Sequence, residues 1–430
     1  MRCCNRHIGN IVLSAAFFVC GVNAQGSKVI DLKSANELKQ RVVNGEEVRE
    51  LIGNVHFIQT TATGEQVRVW CDRATRFMNQ NKIDLYGKVR IVRDSTTITA
   101  PEGTYFANER RAEMRRNVRL EKGKTILTSR YGEHFVDDKR SFFRDDVTLV
   151  DATSTVTCQF LYYIEREQKA IATGNVVVVN SQNAVTVFGD SLIHYDQGNY
   201  TEIPKNPRMI QIDTTASGII DTFLVVGKMM RSFRDSTQRL VAEDSVSMAR
   251  GELSARCGAA TYFIRKDMVV LQHQPVVWQS VNQVTGDSIV VRLANKRLSS
   301  VYVKGRAMVV SQADSAHRNR FDQLTGRVLT MYFSGNKLAQ VDVERNATSL
   351  YYLFETSRPN GANKSSGDRI LIEFLDGKVD RIKVVGGVQG QYFPEKMIAE
   401  NEQEFNLDGF RWFDVRPRRR QLRIVNERYE

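Results

Sequence analysis

Long apolar runs are almost missing from this sequence. After one short run near the start, no stretch approaches the roughly 20 apolar residues that a membrane-spanning helix needs. Cysteine is scarce too, with six in 430 residues. Three of them, Cys3, Cys4 and Cys20, lie in the first 24 residues. Cys71, Cys158 and Cys257 remain, an odd number that excludes a complete disulfide framework. Apart from His7, the histidines stand singly as His56, His134, His194, His273 and His317, with no two at ligand spacing, so no metal is assigned. A glycine-rich phosphate loop, an aromatic-basic RNA-binding signature and a helix-turn-helix pattern are all lacking, which argues against cofactor and nucleic-acid chemistry.

What the sequence does have is a pattern written four times between residues 65 and 180, at a fixed step of 29. Val89, Val118, Val147 and Val176 form one column, followed two residues later by Ile91, Leu120, Leu149 and Val178. A small residue stands 18 positions before each valine: Cys71, Ala100, Ser129 and Cys158. A large apolar one stands 12 before it: Phe77, Phe106, Phe135 and Ile164. Val69, Ile98, Leu127 and Val156 keep the same step. Five columns in phase over four copies define a structural repeat.

Inside a unit the period is two, the signature of a half-buried strand. In the second copy Ala112, Met114, Val118 and Leu120 are assigned to a dry face, and Glu113, Arg115, Asn117, Arg119 and Glu121 to a wet one. Turn formers separate the strands at Asn79-Gln80-Asn81, Asn108-Glu109-Arg110 and Asp137-Asp138-Lys139. The small column is expected where the stack narrows or bends, because a bulky residue there collides with the opposite wall. Cys71 and Cys158 share that column three units apart, at least roughly 14 Å across a sheet, beyond the about 7 Å that a disulfide allows. All three cysteines are expected as small core residues.

Residues 1–24 read as a secretory signal peptide: Arg2 and Arg6, then the apolar run Ile8 to Gly21, then the small-residue cleavage site Val22-Asn23-Ala24. Formal charge is +12, from 61 basic and 49 acidic residues, and falls to +10 once Arg2 and Arg6 leave. A basic exported chain meets anionic partners. Residues 25–50 form an entry segment, with a first strand over Val29 to Leu32 and a Ser34/Glu37 capping box announcing a short helix. The repeat domain runs over 51–393, with room for two tandem sub-domains. Its turn-and-strand phrase recurs at Gly53-Asn54-Val55, Gly87-Lys88-Val89, Gly174-Asn175-Val176, Gly305-Arg306-Ala307 and Gly386-Gly387-Val388, while residues 227–250 fit least well. A short helix is expected within Pro394 to Gln403, and 394–430 reads as a basic tail with seven arginines between Arg411 and Arg428.

A small residue followed by an aromatic, then Gly-Asn-Val and an aliphatic, on antiparallel strands behind a signal peptide, resembles the OstA/LptA family of periplasmic lipopolysaccharide transport proteins. The resemblance is carried by Val69-Trp70-Cys71-Asp72 with Phe77 and Gly87-Lys88-Val89-Arg90-Ile91, and by Thr157-Cys158 with Tyr163 and Gly174-Asn175-Val176. It extends over most of residues 29–393. It implies an all-β fold, an elongated antiparallel β-jellyroll or solenoid-like stack with an open apolar groove that receives acyl chains. It also implies lipopolysaccharide as cargo, transport components at the inner and outer membranes as partners, and end-to-end self-association. The groove is assigned to Val69, Phe77, Val89, Ile91, Ile98, Phe106, Val118, Leu120, Leu127, Phe135, Val147, Leu149 and Val176. This chain departs from the small bridge protein of that family in its greater length and in its basic tail.

Three other readings have some footing. Gly189-Asp190-Ser191-Leu192, with Asp314-Ser315-Ala316-His317, spells parts of a GDSL-type esterase. Against it, Gly286-Asp287-Ser288 repeats the tripeptide in the strand pattern and no Gly-x-Asn-Asp supplies an oxyanion donor. An outer-membrane β-barrel needs an apolar outer face, where this chain places Glu113, Arg115, Arg119 and Glu121. An exported β-repeat scaffold or glycan-binding protein fits the periodicity. No catalytic residues are assigned.

Overall fold

The computed structural model describes residues 30–417 apart from 61–65, 137, 181–183, 215–219, 295–296, 315, 336, 356–357 and 377. The signal peptide and the Arg418–Arg420 run lie outside the described residues. The chain divides into two compact units, Met1–Lys205 and Asn206–Glu430.

The described strands of unit 1 are β1 Ile30–Ser34, β2 Glu37–Val43, β3 Glu46–Thr60, β4 Gln66–Phe77, β5 Lys82–Arg93, β6 Thr96–Phe106 and β7 Arg111–Lys122. They continue as β8 Thr125–Phe135, β9 Arg140–Val150, β10 Ser154–Ile164, β11 Lys169–Asn180, β12 Val185–Tyr195 and β13 Tyr200–Lys205. From β3 to β12 every strand pairs antiparallel with the one before it and the one after it. The expected helix at Ser34/Glu37 is a strand instead. Asn44-Gly45, both with positive φ (51° and 79°), close a two-residue turn that folds β2 onto β3. Left-handed pairs of this kind match the twist of a hairpin, and that local signal outweighs a weak cap.

Each of β3, β5, β7, β9 and β11 turns a corner at mid-length on two consecutive left-handed residues: Gly53-Asn54, Gly87-Lys88, Arg116-Asn117, Asp145-Asp146 and Gly174-Asn175. The Gly-x-Val phrase of the sequence is this corner. The facing strand contributes one residue where the corner contributes two, as in Tyr86↔Glu102 followed by Val89↔Ala100, which makes a β-bulge and a bend. The small column stands at the bend, with Val55↔Cys71, Val89↔Ala100 and Val118↔Ser129 as cross-strand partners. All four small residues are buried. Gly87 has φ 73°, and a Cβ there would overlap the Asp72 carboxylate. The bends divide the sheet into two walls, and the apolar side chains of both walls belong to one buried cluster running from Val55 to Ile203.

Unit 2 carries β14 Arg208–Thr214, β15 Ile220–Val226, β16 Met229–Phe233, β17 Arg239–Arg250, β18 Leu253–Phe263, β19 Met268–Gln272, β20 Val276–Gln279 and β21 Asn282–Thr285. It continues with β22 Ser288–Ala294, β23 Arg297–Gln312, β24 Phe321–Ser334, β25 Lys337–Glu355, β26 Arg358–Leu375, β27 Lys378–Val385 and β28 Gln389–Phe393. The corners persist at Asp244-Ser245, His273-Gln274, Gly305-Arg306, Arg345-Asn346 and Gly386-Gly387. Residues 227–250 therefore hold a regular corner on β17, spelled without glycine. The strands from β23 to β26 pair in sequence, around a second buried cluster that includes Val303, Leu329, Val343 and Ile370. After β28 the repeat stops at a one-turn helix, Glu395–Ile398, and a 3-10 turn, Glu402–Phe405.

Candidate functional site

The interior of unit 1 is the candidate site. Ten of the thirteen groove residues face it: Val69, Val89, Ile91, Ile98, Val118, Leu120, Leu127, Val147, Leu149 and Val176 are all between 0% and 6% exposed and belong to one cluster. The expected open groove is filled by its own walls. Two apolar faces hinged at a row of corners reach lower free energy by covering each other, at about 25 cal/mol per Å² of apolar surface removed from water.

Phe77, Phe106 and Phe135 do not join that cluster. Each is half-buried and lies under a cation from the next strand: Lys82 at 4.5 Å from the Phe77 ring, Arg111 at 4.3 Å from Phe106 and Arg140 at 4.5 Å from Phe135. Cross-strand register makes one row of them, Phe77, Lys82, Phe106, Arg111, Phe135 and Arg140. Along β6, buried Ile98, Ala100, Gly103 and Tyr105 mark the inner face, so Phe106 shares the outer face with Glu102 and Thr104. The physical reason is the corner: β6 passes it with one residue, Pro101, where β5 and β7 use two. Strict alternation counted from Ile98 puts position 106 inside, and the one-residue mismatch at the corner flips everything after it. The same flip moves Phe77 and Phe135. On this outer face Arg111 donates to Glu109 at 2.7 Å and to Glu133 at 2.8 Å, and also contacts Glu113.

Counted with the bulge, the inner face gains residues that the columns missed. Leu85, Met114, Phe143, Leu161, Tyr163 and Leu192 are buried in it, and Phe143 is fully enclosed. The signal for them was present as the Met114 alternation, which runs unbroken through the corner on β5, β7 and β9, but the count shifts by one on the facing strands β4, β6, β8 and β10. A polar fringe stands near the hairpin end of the interior, where His134 meets the Ser141 hydroxyl at 3.2 Å and His194 meets that of Thr201 at 2.9 Å. Burial, with the Arg93 charge adding to it, holds the His134 imidazole down to about 3, so it is neutral at physiological pH.

The esterase signature dissolves into the corner geometry. Asp287 covers the Gly305 corner, its N–H donates to the Gly305 carbonyl at 2.8 Å, and its carboxylate accepts from Arg306. Asp368 stands the same way over Gly386. The Gly-Asp-Ser tripeptide at 286–288 is thus a corner piece. Ser191 lies on β12 opposite Thr173 and Lys205, while Asp314 and His317 belong to unit 2, where Asp314 closes its own turn by accepting the Ala316 and His317 N–H groups.

The basic tail is not a free solvated segment up to residue 417. Ile398, Leu407, Phe405, Phe410 and Trp412 pack with Met308, Val310, Leu350 and Tyr352 in a third apolar cluster. Along β23, Ala307 and Val309 pack in the inner cluster while Met308 and Val310 pack in this one, so the segment lies on the outer face of its wall. Sequence reasoning missed this, although three aromatics in Phe410-Arg411-Trp412-Phe413 are an unusual content for a solvated tail.

Strands, corners and a closed apolar interior define an all-β repeat protein of the jellyroll type, and comparison with known families agrees. The OstA-like protein family matches residues 27–187. The LptA/(LptD N-terminal domain) LPS transport protein family matches residues 155–297. Between them the two matches make residues 27–297 OstA/LptA-like. No curated protein matches it. Among solved structures, it is similar to LptH from Pseudomonas aeruginosa, described as the LptA-homologous periplasmic component of the lipopolysaccharide transport device. That likeness has 13% identity, a TM-score of 0.26, and coverage of 33% of this chain and 95% of the other.

Proposed function

We propose that the chain is a periplasmic, non-enzymatic carrier or bridge that holds lipopolysaccharide acyl chains between the two walls of its β-stack and passes the lipid toward the outer membrane. The observation that carries this reading is the interior itself: ten repeat-column aliphatics aligned in one cluster. The match of residues 155–297 to a family described by lipopolysaccharide transport supports it.

Closure of the walls suits a carrier. A fully sheathed acyl chain of about fourteen carbons gains roughly 10 kcal/mol at about 0.8 kcal/mol per methylene. Several such chains together would pass the practical ceiling of noncovalent affinity, and the lipid would not leave. Walls that pack on each other when empty offset part of that gain, because entry of a chain exchanges wall–wall contact for wall–chain contact. The net affinity stays low enough for release.

Partners at the inner and outer membranes belong to the same reading, as does end-to-end association. Among the described pairings, β2 pairs only with β3, and β27 only with β26. These edges expose Leu38 and Val42 at one terminus and Val379 and Ile382 at the other. Unpaired apolar edges of this kind accept a further strand. Lysine at Val42 or Ile382 is expected to lower any self-association seen in sedimentation while leaving the circular dichroism spectrum unchanged.

The reading is tested by binding fluorescent lipopolysaccharide to the purified mature chain, with intact and deacylated lipopolysaccharide as competitors. Competition by the intact lipid alone is expected. Equal competition by the deacylated saccharide would replace the carrier with the glycan-binding alternative.

A further inference from the structure

The segment that follows β28 crosses one wall of unit 2 from outside, and polar side chains buried in that wall hold it. Gln283 is 0% exposed; its Nε2 donates to the Arg411 carbonyl at 2.7 Å and its Oε1 accepts from the Phe413 N–H at 2.9 Å. Gln323 is 2% exposed; its Oε1 accepts from the Leu407 N–H at 2.8 Å and its Nε2 donates to Asn406 Oδ1 at 2.5 Å. Each amide acts as a two-pronged fork on the crossing segment, as a neighbouring strand would. Trp278, fully enclosed, donates from Nε1 to the Phe413 carbonyl at 3.3 Å. Arg320, 3% exposed, grips Glu395 with two bonds of 2.6 Å and 3.0 Å and reaches Glu402 at 3.3 Å.

These anchors come from different strands or their flanks: Trp278 on β20, Gln283 on β21, Arg320 just before β24 and Gln323 on it. Met308 and Val310 on β23, Leu350 and Tyr352 on β25 and Ala362 on β26 add the apolar contacts. A strap fixed at that many points resists any change in spacing or curl among the strands beneath it. Buried polar groups left without partners carry a desolvation cost, so the strap cannot lift from one anchor without exposing or orphaning it. Among the described residues of unit 1 no such segment covers the corresponding outer face: Val150 and Val179 are 36% and 42% exposed, and Arg119 on β7 is exposed as well.

We infer that residues 394–417 are a lock that keeps unit 2 closed, and that acyl chains are accepted in unit 1, whose walls are free to part. The inference rests on the acyl-carrying reading and deepens it by assigning the cargo to one half. Both interiors are apolar and closed at rest, and the difference lies in what opposes opening. In unit 1, opening sacrifices wall–wall contact, which an acyl chain restores. In unit 2 it also sacrifices the strap contacts, which an acyl chain does not restore.

The test uses the full mature chain, a photoactivatable long-chain fatty acid and deuterium exchange read by mass spectrometry. Adducts in the wild type are expected on unit 1 peptides about tenfold more than on unit 2 peptides, the ratio given by a difference of about 1.4 kcal/mol in opening cost. Phe410→Ala with Trp412→Ala removes the strap's ring contacts with Phe321 and leaves every residue of the sheet in place. This variant is expected to speed exchange over 307–312 and 347–355 and to bring unit 2 labelling within about twofold of unit 1, as loss of that difference requires. Gln323→Ala provides a second route to the same loosening. Equal labelling of both units in the wild type keeps the carrier reading and overturns the lock. Faster exchange in the variants with no rise in unit 2 labelling overturns it as well. No adduct in either unit overturns the carrier reading and with it the assignment of cargo to unit 1.

Discussion

Cys71, Cys158 and Cys257 are buried and unpaired, and burial pushes each thiol up to about 12. Since the thiolate is the reactive form, a thiol reagent at pH 8 is expected to leave the native mature chain untouched and to titrate three groups in denaturant. Fast reaction of the folded protein would show that the small column is open to solvent. His134 carries a separate signature. The unfolded imidazole takes a proton below about 6.5, and the folded one only near 3. Folding stability is therefore present above about 6.5 and lost as pH falls toward 3, at up to about 1.4 kcal/mol per pH unit. Urea midpoints measured from pH 7 to pH 4 should fall, and His134→Phe should flatten that fall. The aliphatic columns were legible at this scale because a fixed period fixes their face. The phenylalanines were misplaced because the strands facing the corners pass them one residue short, as β6 does at Pro101, and carry no local mark strong enough to reset the count.

At the scale of the element, the corner is the recurring device. Two left-handed residues bend the strand, and a side chain from the facing strand covers the bend. Where glycine supplies the first of them, replacement meets both the backbone preference and the covering side chain, as at Gly87 under Asp72 and at Gly174 under Gln159. Gly174→Ala is expected to destabilise by about 1–3 kcal/mol, the cost of a strained backbone site. Lys124→Gly next to the tight turn at Gly123 should change little by comparison; chemical denaturation of both variants decides it. The Gly-x-Val phrase was visible in the sequence, but its role was not, since Arg116-Asn117 and Asp145-Asp146 adopt the same conformation without glycine. Ser34 and Glu37 show the opposite failure, a local cap overruled by the Asn44-Gly45 hairpin. The strap's ion pair has its own pH dependence. The Arg320 guanidinium holds the Glu395 carboxyl below the usual range, so this contribution is present above the ordinary glutamate value and fades as pH falls below it.

At the scale of the whole molecule, two units each enclose an apolar interior, and among the described residues only unit 2 carries a strap on its outer wall. The repeat made the β architecture legible because every unit obeys the same local rules. The strap was not legible, because its anchors Gln283, Arg320 and Gln323 lie 75 to 128 residues from the partners they hold, and no periodicity links them to it. The central claim is that acyl chains lie between the walls of unit 1. The most direct measurement is in-cell photocrosslinking with the probe at Leu120, beside controls at Arg119 and Phe106. Leu120 faces the interior, and the other two lie on the outer face. A lipopolysaccharide adduct at Leu120 alone is the predicted result. Adducts at Phe106 or Arg119 with none at Leu120 would place the lipid outside the walls and contradict the account.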